Sequence, residues 1–383
     1  MRHLSFAELT AATPAQEAVW DALWRGKSIE RIAVDVRPNA ATCRRVREEF
    51  AFELDEGAVK LAGYTERWRE ELLNSLYALA AQRLMPGDGA PALDVPRWVH
   101  GQSQGFADLF GARVEEQPDG NFFPYPLPAD PAFIDDLQCR PLETSLYYTA
   151  VEWLRYARAA TGGALPFRNP VMTGPLDTAN YLLGSTTLLE WVYTEPETLH
   201  RLLGKITDAI IGMLRALGEA AGGLRHNTEV TCTRGGFGLC SEIRAIISSA
   251  IYEEFEAPYL LCIGEALGTF SVHSCGSWER TLPSVLRNPY LRAMNGPSKE
   301  NDLPTLCALA QGKILLSIYS SVNVHEEYLW PDTESYLRHV LTVTPIEQPL
   351  EINLQEDDLP RWQRLHREIR GTKAVLAEPA LRM

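Results

Sequence analysis

The hexapeptide Ser271-Val272-His273-Ser274-Cys275-Gly276 decides how the rest of this chain is read. An apolar run from Leu260 to Val272 leads into it, and an amphipathic stretch, Trp278 to Arg287, follows. That is the pattern of a strand that ends, turns and continues as a helix, with Gly276 giving the turn a freedom that residues with a Cβ lack. Residues two apart on a strand point to the same face. His273 and Cys275 therefore aim an imidazole and a thiol at one point from the strand's C-terminal end. Both groups ligate a borderline-soft cation such as zinc. A buried histidine beside a small apolar thiol fits the same letters, so the surroundings must decide.

From residue 164 onward the pattern is regular. Strand-like runs are expected at Leu165–Met172, Glu229–Thr233, Thr269–His273, Leu291–Asn295, Lys313–Tyr319 and Pro349–Asn353. Helical runs separate them, among them Pro196–Ala221, Ser249–Leu267, Leu303–Ala310, Pro331–Thr342 and Glu356–Arg370. Strands alternating with helices imply parallel pairing through helical crossovers. A doubly wound sheet and a closed barrel both satisfy that rule. No G-x-G-x-x-G or Walker sequence follows any strand, which favours the barrel over a dinucleotide-binding sheet. The expected fold is α/β, a (β/α)8 TIM-type barrel over residues 91–383.

The first 85 residues or so read as helical. Phe6, Leu9, Val19, Leu23 and Trp24 recur at helical spacing after a Thr13-Pro14 start signal. Arg44–Leu54 and Thr65–Leu84 repeat the pattern, the latter with Trp68, Leu72, Leu76 and Leu79 on one face. Residues 1–90 are thus expected to be an N-terminal helical extension packed on the barrel. The Pro- and aromatic-rich stretch Asn121–Pro131 reads as an ordered loop crossing a barrel mouth, or equally as a surface connector.

A barrel collects its functional groups at the C-terminal ends of its strands. The polar residues expected there are Asp177, Arg234, His273, Cys275, Asn295, Tyr319 with Ser320 and Ser321, and Glu351. Composition narrows the chemistry. The chain has 383 residues, 45% of them hydrophobic, and a formal net charge of -14. That balance argues against nucleic acid as a partner, because phosphate recognition wants a basic surface. No apolar stretch approaches ~18 residues, so no membrane span is expected. No secretory leader is evident at the N-terminus. Seven cysteines, an odd and scattered set, do not form a disulfide framework. A reducing, cytoplasmic setting is the expectation, with Cys275 free to act as a thiolate.

The stretch Asn169–Ala221 resembles the uroporphyrinogen decarboxylase superfamily. The likeness rests on Thr173-Gly174-Pro175, Tyr181-Leu182-Leu183-Gly184, Pro196-Glu197 and Leu202-Leu203-Gly204-Lys205-Ile206-Thr207-Asp208-Ala209-Ile210, together with Val272-His273-Ser274-Cys275-Gly276. The resemblance spans roughly residues 90–370 and implies a (β/α)8 barrel preceded by extra helices. True uroporphyrinogen decarboxylases carry an N-terminal Arg-Gln-Ala-Gly-Arg segment and a Gly-His motif near the last strand. Neither is present here, and Pro349-Leu350-Glu351-Ile352 stands in place of the second. The closer likeness is to the zinc-dependent methyltransferases that serve corrinoid proteins or thiols such as coenzyme M. Their zinc sits on His-x-Cys and a later Cys. His273 and Cys275 match the first two positions, and Glu351 stands where the later Cys would be. Cys232, Cys240 and Cys307 are substitutes, with Cys240 the best placed of them.

The resemblance implies an enzyme that moves a methyl group between a corrinoid, carried by a partner protein, or another donor and a thiol-type acceptor. Its catalytic and metal residues would be His273, Cys275 and Glu351, with zinc as cofactor. Asp177, Asn180, Tyr181 and Arg234 would bind the small-molecule donor or acceptor. The alternative is a metal-free lyase of the decarboxylase type, in which Arg234 and Asp177 handle an acidic substrate. Oligomeric state is left open.

Overall fold

The computed structural model describes residues 1–55, 57, 66–101, 103–321, 327 and 329–382. The elements that frame the barrel and its site run in the order α1 (Pro14–Trp24), β1 (Ala33–Arg37), α2 (Glu66–Arg83), α3 (Thr149–Ala160), β2 (Met172–Thr173), α4 (Pro175–Leu183) and α5 (Pro196–Ala221). Then follow β3 (Phe237–Cys240), α6 (Ala257–Leu267), β4 (Phe270–His273), β5 (Leu291–Pro297), α7 (Leu303–Ala310), β6 (Leu315–Tyr319), α8 (Thr333–Val343), β7 (Leu350–Gln355) and α9 (Leu359–Arg370).

These strands form one parallel sheet of seven in the order β1-β7-β6-β5-β4-β3-β2. First and last strands are therefore neighbours, as ring closure demands. Residues 88–93 fill the gap between β1 and β2. Asp88 N donates to Val34 O at 2.7 Å, and Leu93 forms a parallel bridge with Phe167, just before β2. The architecture is the expected (β/α)8 barrel.

The strands are short, buried and mainly apolar, as parallel strands covered by helices are, with single polar residues such as Asn295, Ser317 and Glu351 among them. β4 buries Phe270, Ser271 and Val272. α5 owes its 26 residues to a continuous apolar stripe, with Leu199, Leu202, Leu203, Ile206, Ile210, Met213, Leu214 and Leu217 all buried. It begins with Pro196 and ends at Gly222 in the left-handed region (φ +82°).

Three expectations are corrected. The first 85 residues are not all helical, because Ala33–Arg37 is a strand of the barrel itself, paired in register with β7. Its five residues carry Asp35 and Arg37, which hide the apolar pattern; the two side chains pair at 3.1 Å. The helix expected to start at Thr65 is α2, although Thr65 itself lies outside the described residues. The expected strand Glu229–Thr233 is not one, and the strand is Phe237–Cys240. Instead, residues 230–232 cross the N-terminal end of the barrel, where Val230 and Cys232 pack with Ala33, Ala293 and Leu315. Part of the stretch expected as a loop, Phe122–Tyr125, pairs antiparallel with Arg113–Glu116. Among the described residues no helix is long and apolar enough to cross a membrane.

Candidate metal centre

Two neighbouring strands end in the same way. β3 ends at Cys240 and is followed by Ser241-Glu242, and β4 ends at His273 and is followed by Ser274-Cys275. Cys240 and His273 are register partners, and Ser241 N donates to His273 O at 2.9 Å. The rim thus presents two pairs of ligating side chains with i, i+2 spacing. Ligand atoms of Cys240, Glu242 and His273 all lie within 4.8 Å of one another. His273 Nε2 is 3.3 Å from Cys275 Sγ and 3.3 Å from Glu242 Oε1. Glu242 is further fixed by the Cys275 backbone N–H, which donates to its Oε2 at 2.6 Å.

The electrostatics of this corner show a shortage of positive charge. Burial drives the Cys240 thiol well above its ordinary pKa, and Glu242, Glu229, Asp177 and Cys275 push the same way. Burial would depress His273, but its contacts with Cys275 and Glu242 and the charge of Glu229 raise it well above its ordinary value. Burial acts upward on Glu242 too, and its bonds from His273 and Cys275 outweigh this and hold it below the usual carboxylate range. One imidazole faces two thiols and two carboxylates. A donor set of sulfur, nitrogen and oxygen with excess negative charge fits a divalent cation of the zinc type.

The supports come from adjoining elements. Asp177, in the first turn of α4, is buried and accepts the backbone N–H groups of Glu242 and Ile243 at 2.5 and 2.7 Å. Tyr319 at the end of β6 lies over the His273 ring, with centroids 6.2 Å apart and planes at 21°. On the other side of His273, Nδ1 meets Asn295 Oδ1 at 2.5 Å.

His273 and Cys275 do converge as expected. Glu351 does not join them. It is buried on β7, where it accepts from Thr231 N at 3.0 Å, Cys232 N at 2.9 Å and the Ser317 hydroxyl at 2.8 Å. The reason is the stagger of a barrel. The register runs Cys240–His273–Asn295–Ser317–Glu351 across neighbouring strands. Along that line the position slips from the last residue of β3 to near the start of β7. A residue level with His273 in the ladder is therefore at the rim on β3 and near the floor on β7.

Arg234 is also misplaced by the expectation. It precedes β3, and its guanidinium pairs with Glu17 of α1 at 2.6 Å, at the N-terminal end and away from the ligand cluster. Asp177 serves the Glu242 loop with both of its oxygens. The Tyr181 phenol has Asp177, Cys240 and Glu242 as electrostatic neighbours, so it borders the site. Asn180 Oδ1 is buried without a hydrogen-bond partner among the described residues. Glu242 escaped the sequence reading. The signal that would have found it is the Cys-Ser-Glu triplet, which repeats the spacing of His-Ser-Cys.

Known proteins give the context. Residues 106–292 match the family model described as uroporphyrinogen decarboxylase. Curated proteins named uroporphyrinogen decarboxylase are similar over part of the chain. The one from Xanthomonas oryzae pv. oryzae is 32% identical over 155 residues, covering 39% of this chain and 40% of that protein. The one from Xanthomonas campestris pv. campestris is 30% identical over 174 residues, covering 44% and 43%. The match thus spans less than half the length of these relatives. A solved structure described as a methyltransferase from Methanosarcina mazei superposes with a TM-score of 0.61 at 14% identity, covering 88% of this chain and 92% of that one. At that identity the likeness speaks for the fold. Residues 106–292 are thus similar to the uroporphyrinogen decarboxylase family, and the superposition bears out the barrel.

Proposed function

We propose that this chain is a zinc-dependent methyltransferase that moves a methyl group from a corrinoid, or another donor of that reactivity, to a thiol-type acceptor. The observation that carries the reading is the convergence of Cys240, Glu242 and His273 within 4.8 Å at the ends of adjacent strands. Cys275, 3.3 Å from His273, is the further sulfur of the set. When bound there, zinc would lower the pKa of a thiol so that the thiolate, the reactive form, is present near neutral pH.

The chain's own residues do the rest. Asp177 holds the Glu242 loop, so the carboxylate keeps its place beside His273. Tyr319 covers one face of the imidazole. Tyr181 borders the cluster from α4 and is placed to contact the donor or acceptor, and Asn180 is proposed beside it for the same role. In the transfer, the acceptor sulfur forms the new S–C bond as the donor–methyl bond breaks and the donor keeps that electron pair.

The structure offers less to a decarboxylase on an acidic substrate. Arg234 is engaged with Glu17 at the far end of the barrel, and both oxygens of Asp177 are taken up by backbone N–H groups.

The test is metal analysis of protein purified anaerobically, followed by a methyl-transfer assay with methylcobalamin and a simple thiol. About one zinc per chain, lost in His273→Ala, with thiol methylation that needs the metal, supports the proposal. Metal-free protein that does not take up added zinc rejects it.

A further inference from the structure

We infer that Asn295 is a positioning residue for the metal centre: its side-chain amide fixes the His273 tautomer, so that Nε2 faces the ligand cluster. This rests on the metal site proposed above. The argument begins with the amide's other end. Asn295 Nδ2 lies 3.2 Å from the Ser317 carbonyl oxygen, 3.3 Å from the Glu229 carbonyl oxygen and 2.9 Å from the Ser317 hydroxyl. Backbone carbonyls only accept hydrogen bonds. The NH2 group must therefore face them, and the amide oxygen must face His273.

An amide oxygen also only accepts. The Nδ1 that it meets at 2.5 Å must then carry the proton. Nε2 is left toward Cys275 and Glu242, as the nitrogen whose proton a cation would displace. Fixing the tautomer and ring angle of a ligating histidine from its second nitrogen is a general device of metal sites.

The amide is in turn held from below. The Ser317 hydroxyl, which accepts from Asn295, donates to the buried carboxylate of Glu351 at 2.8 Å. Glu351 takes up the backbone N–H groups of Thr231 and Cys232, in the segment that closes the barrel floor. The orientation of a rim ligand is thus set by a hydrogen-bonded line through the barrel interior. That gives the buried polar residues Asn295, Ser317 and Glu351 a shared purpose.

The experiment is zinc affinity by competition with a chromophoric chelator for the wild type, Asn295→Leu, Asn295→Asp and Ser317→Ala. Asn295→Leu removes the acceptor and should weaken zinc binding by roughly 10–100-fold. Asn295→Asp restores an acceptor for Nδ1–H, though its second oxygen meets the Ser317 and Glu229 carbonyls, and should recover part of that loss. Ser317→Ala should lose less than Asn295→Leu. Unchanged affinity in Asn295→Leu, or equal weakness in the Leu and Asp variants, overturns the inference while leaving the metal site standing. Failure of the wild type to bind zinc rejects the metal site and this inference with it. If Asn295→Leu does not fold, the 15N shifts of His273 in the zinc-loaded wild type decide. A proton on Nδ1 supports the inference and a proton on Nε2 overturns it.

Discussion

The carboxylate of Asp177 accepts the backbone N–H of Glu242 at 2.5 Å, so the start of one barrel helix holds the loop that follows the next strand. An aspartate in a helix's first turn often serves its own helix. Here both oxygens serve Glu242 and Ile243 instead. Burial, and the nearby charge of Glu242, drive the acid up to about 7 against the pull of those two N–H bonds.

Asp177→Ala removes that clasp without touching a ligand atom. It should weaken zinc binding about 10–100-fold and cost about 1–3 kcal/mol of stability, because two buried N–H groups lose their acceptor. Chelator competition and denaturant unfolding measure the two effects separately. Unchanged affinity would show that the loop holds its shape unaided.

Cys240→Ser and Glu242→Gln should each reduce zinc content well below one per chain, as His273→Ala does. Cys240 and Glu242 were not the residues first expected as third ligand, so these variants separate the observed cluster from the expected one. Full zinc occupancy in both would exclude them as ligands.

Glu351 predicts the opposite pattern. Glu351→Gln should leave zinc near one per chain, with affinity falling no further than in Ser317→Ala, and cost about 1–3 kcal/mol, since one corner of its amide becomes a donor facing buried donors. The carboxyl also makes a pH prediction. Burial raises it from an ordinary 4.5 to about 7 in the folded chain, although the Ser317, Cys232 and Thr231 bonds act downward. A raised acid favours the protonated folded state. Its contribution is complete below about 4.5 and is lost as pH rises through 7, a change on the order of 3 kcal/mol. Unfolding midpoints between these pH values should fall more steeply in the wild type than in Glu351→Gln. Equal slopes would show that the carboxyl titrates normally.

Arg234→Ala should leave zinc affinity and methyl transfer as they are. Its ion pair with Glu17 is partly exposed on both sides, so stability should change by less than ~1 kcal/mol. A large loss of activity would return Arg234 to the list of substrate-binding residues.

Gly236→Ala should be severely destabilising. Gly236 has φ +61°, and an added Cβ would lie 2.2 Å from Thr269 O and 2.4 Å from the Trp24 ring. Backbone strain and a clash act together where the floor segment turns into β3, and a cost of more than ~2 kcal/mol follows. Thermal unfolding reads it directly.

What the residues determined alone was the barrel and the rim. Alternating apolar strands and amphipathic helices leave few ways to bury both faces of a sheet, and two residues' spacing at a strand end keeps His273 and Cys275 within reach of each other. The β1 strand was hidden because its two charged residues pair with each other, a fact that no periodicity reveals. Glu242 went unread and Cys240 was named only as a substitute, because their meeting with His273 depends on stagger: the sheet's shear brings them level with His273 and carries Glu351 down to the floor. Local pattern is a property of neighbours along the chain, whereas the level that a residue reaches in a tilted ring is fixed only when all the strands are paired.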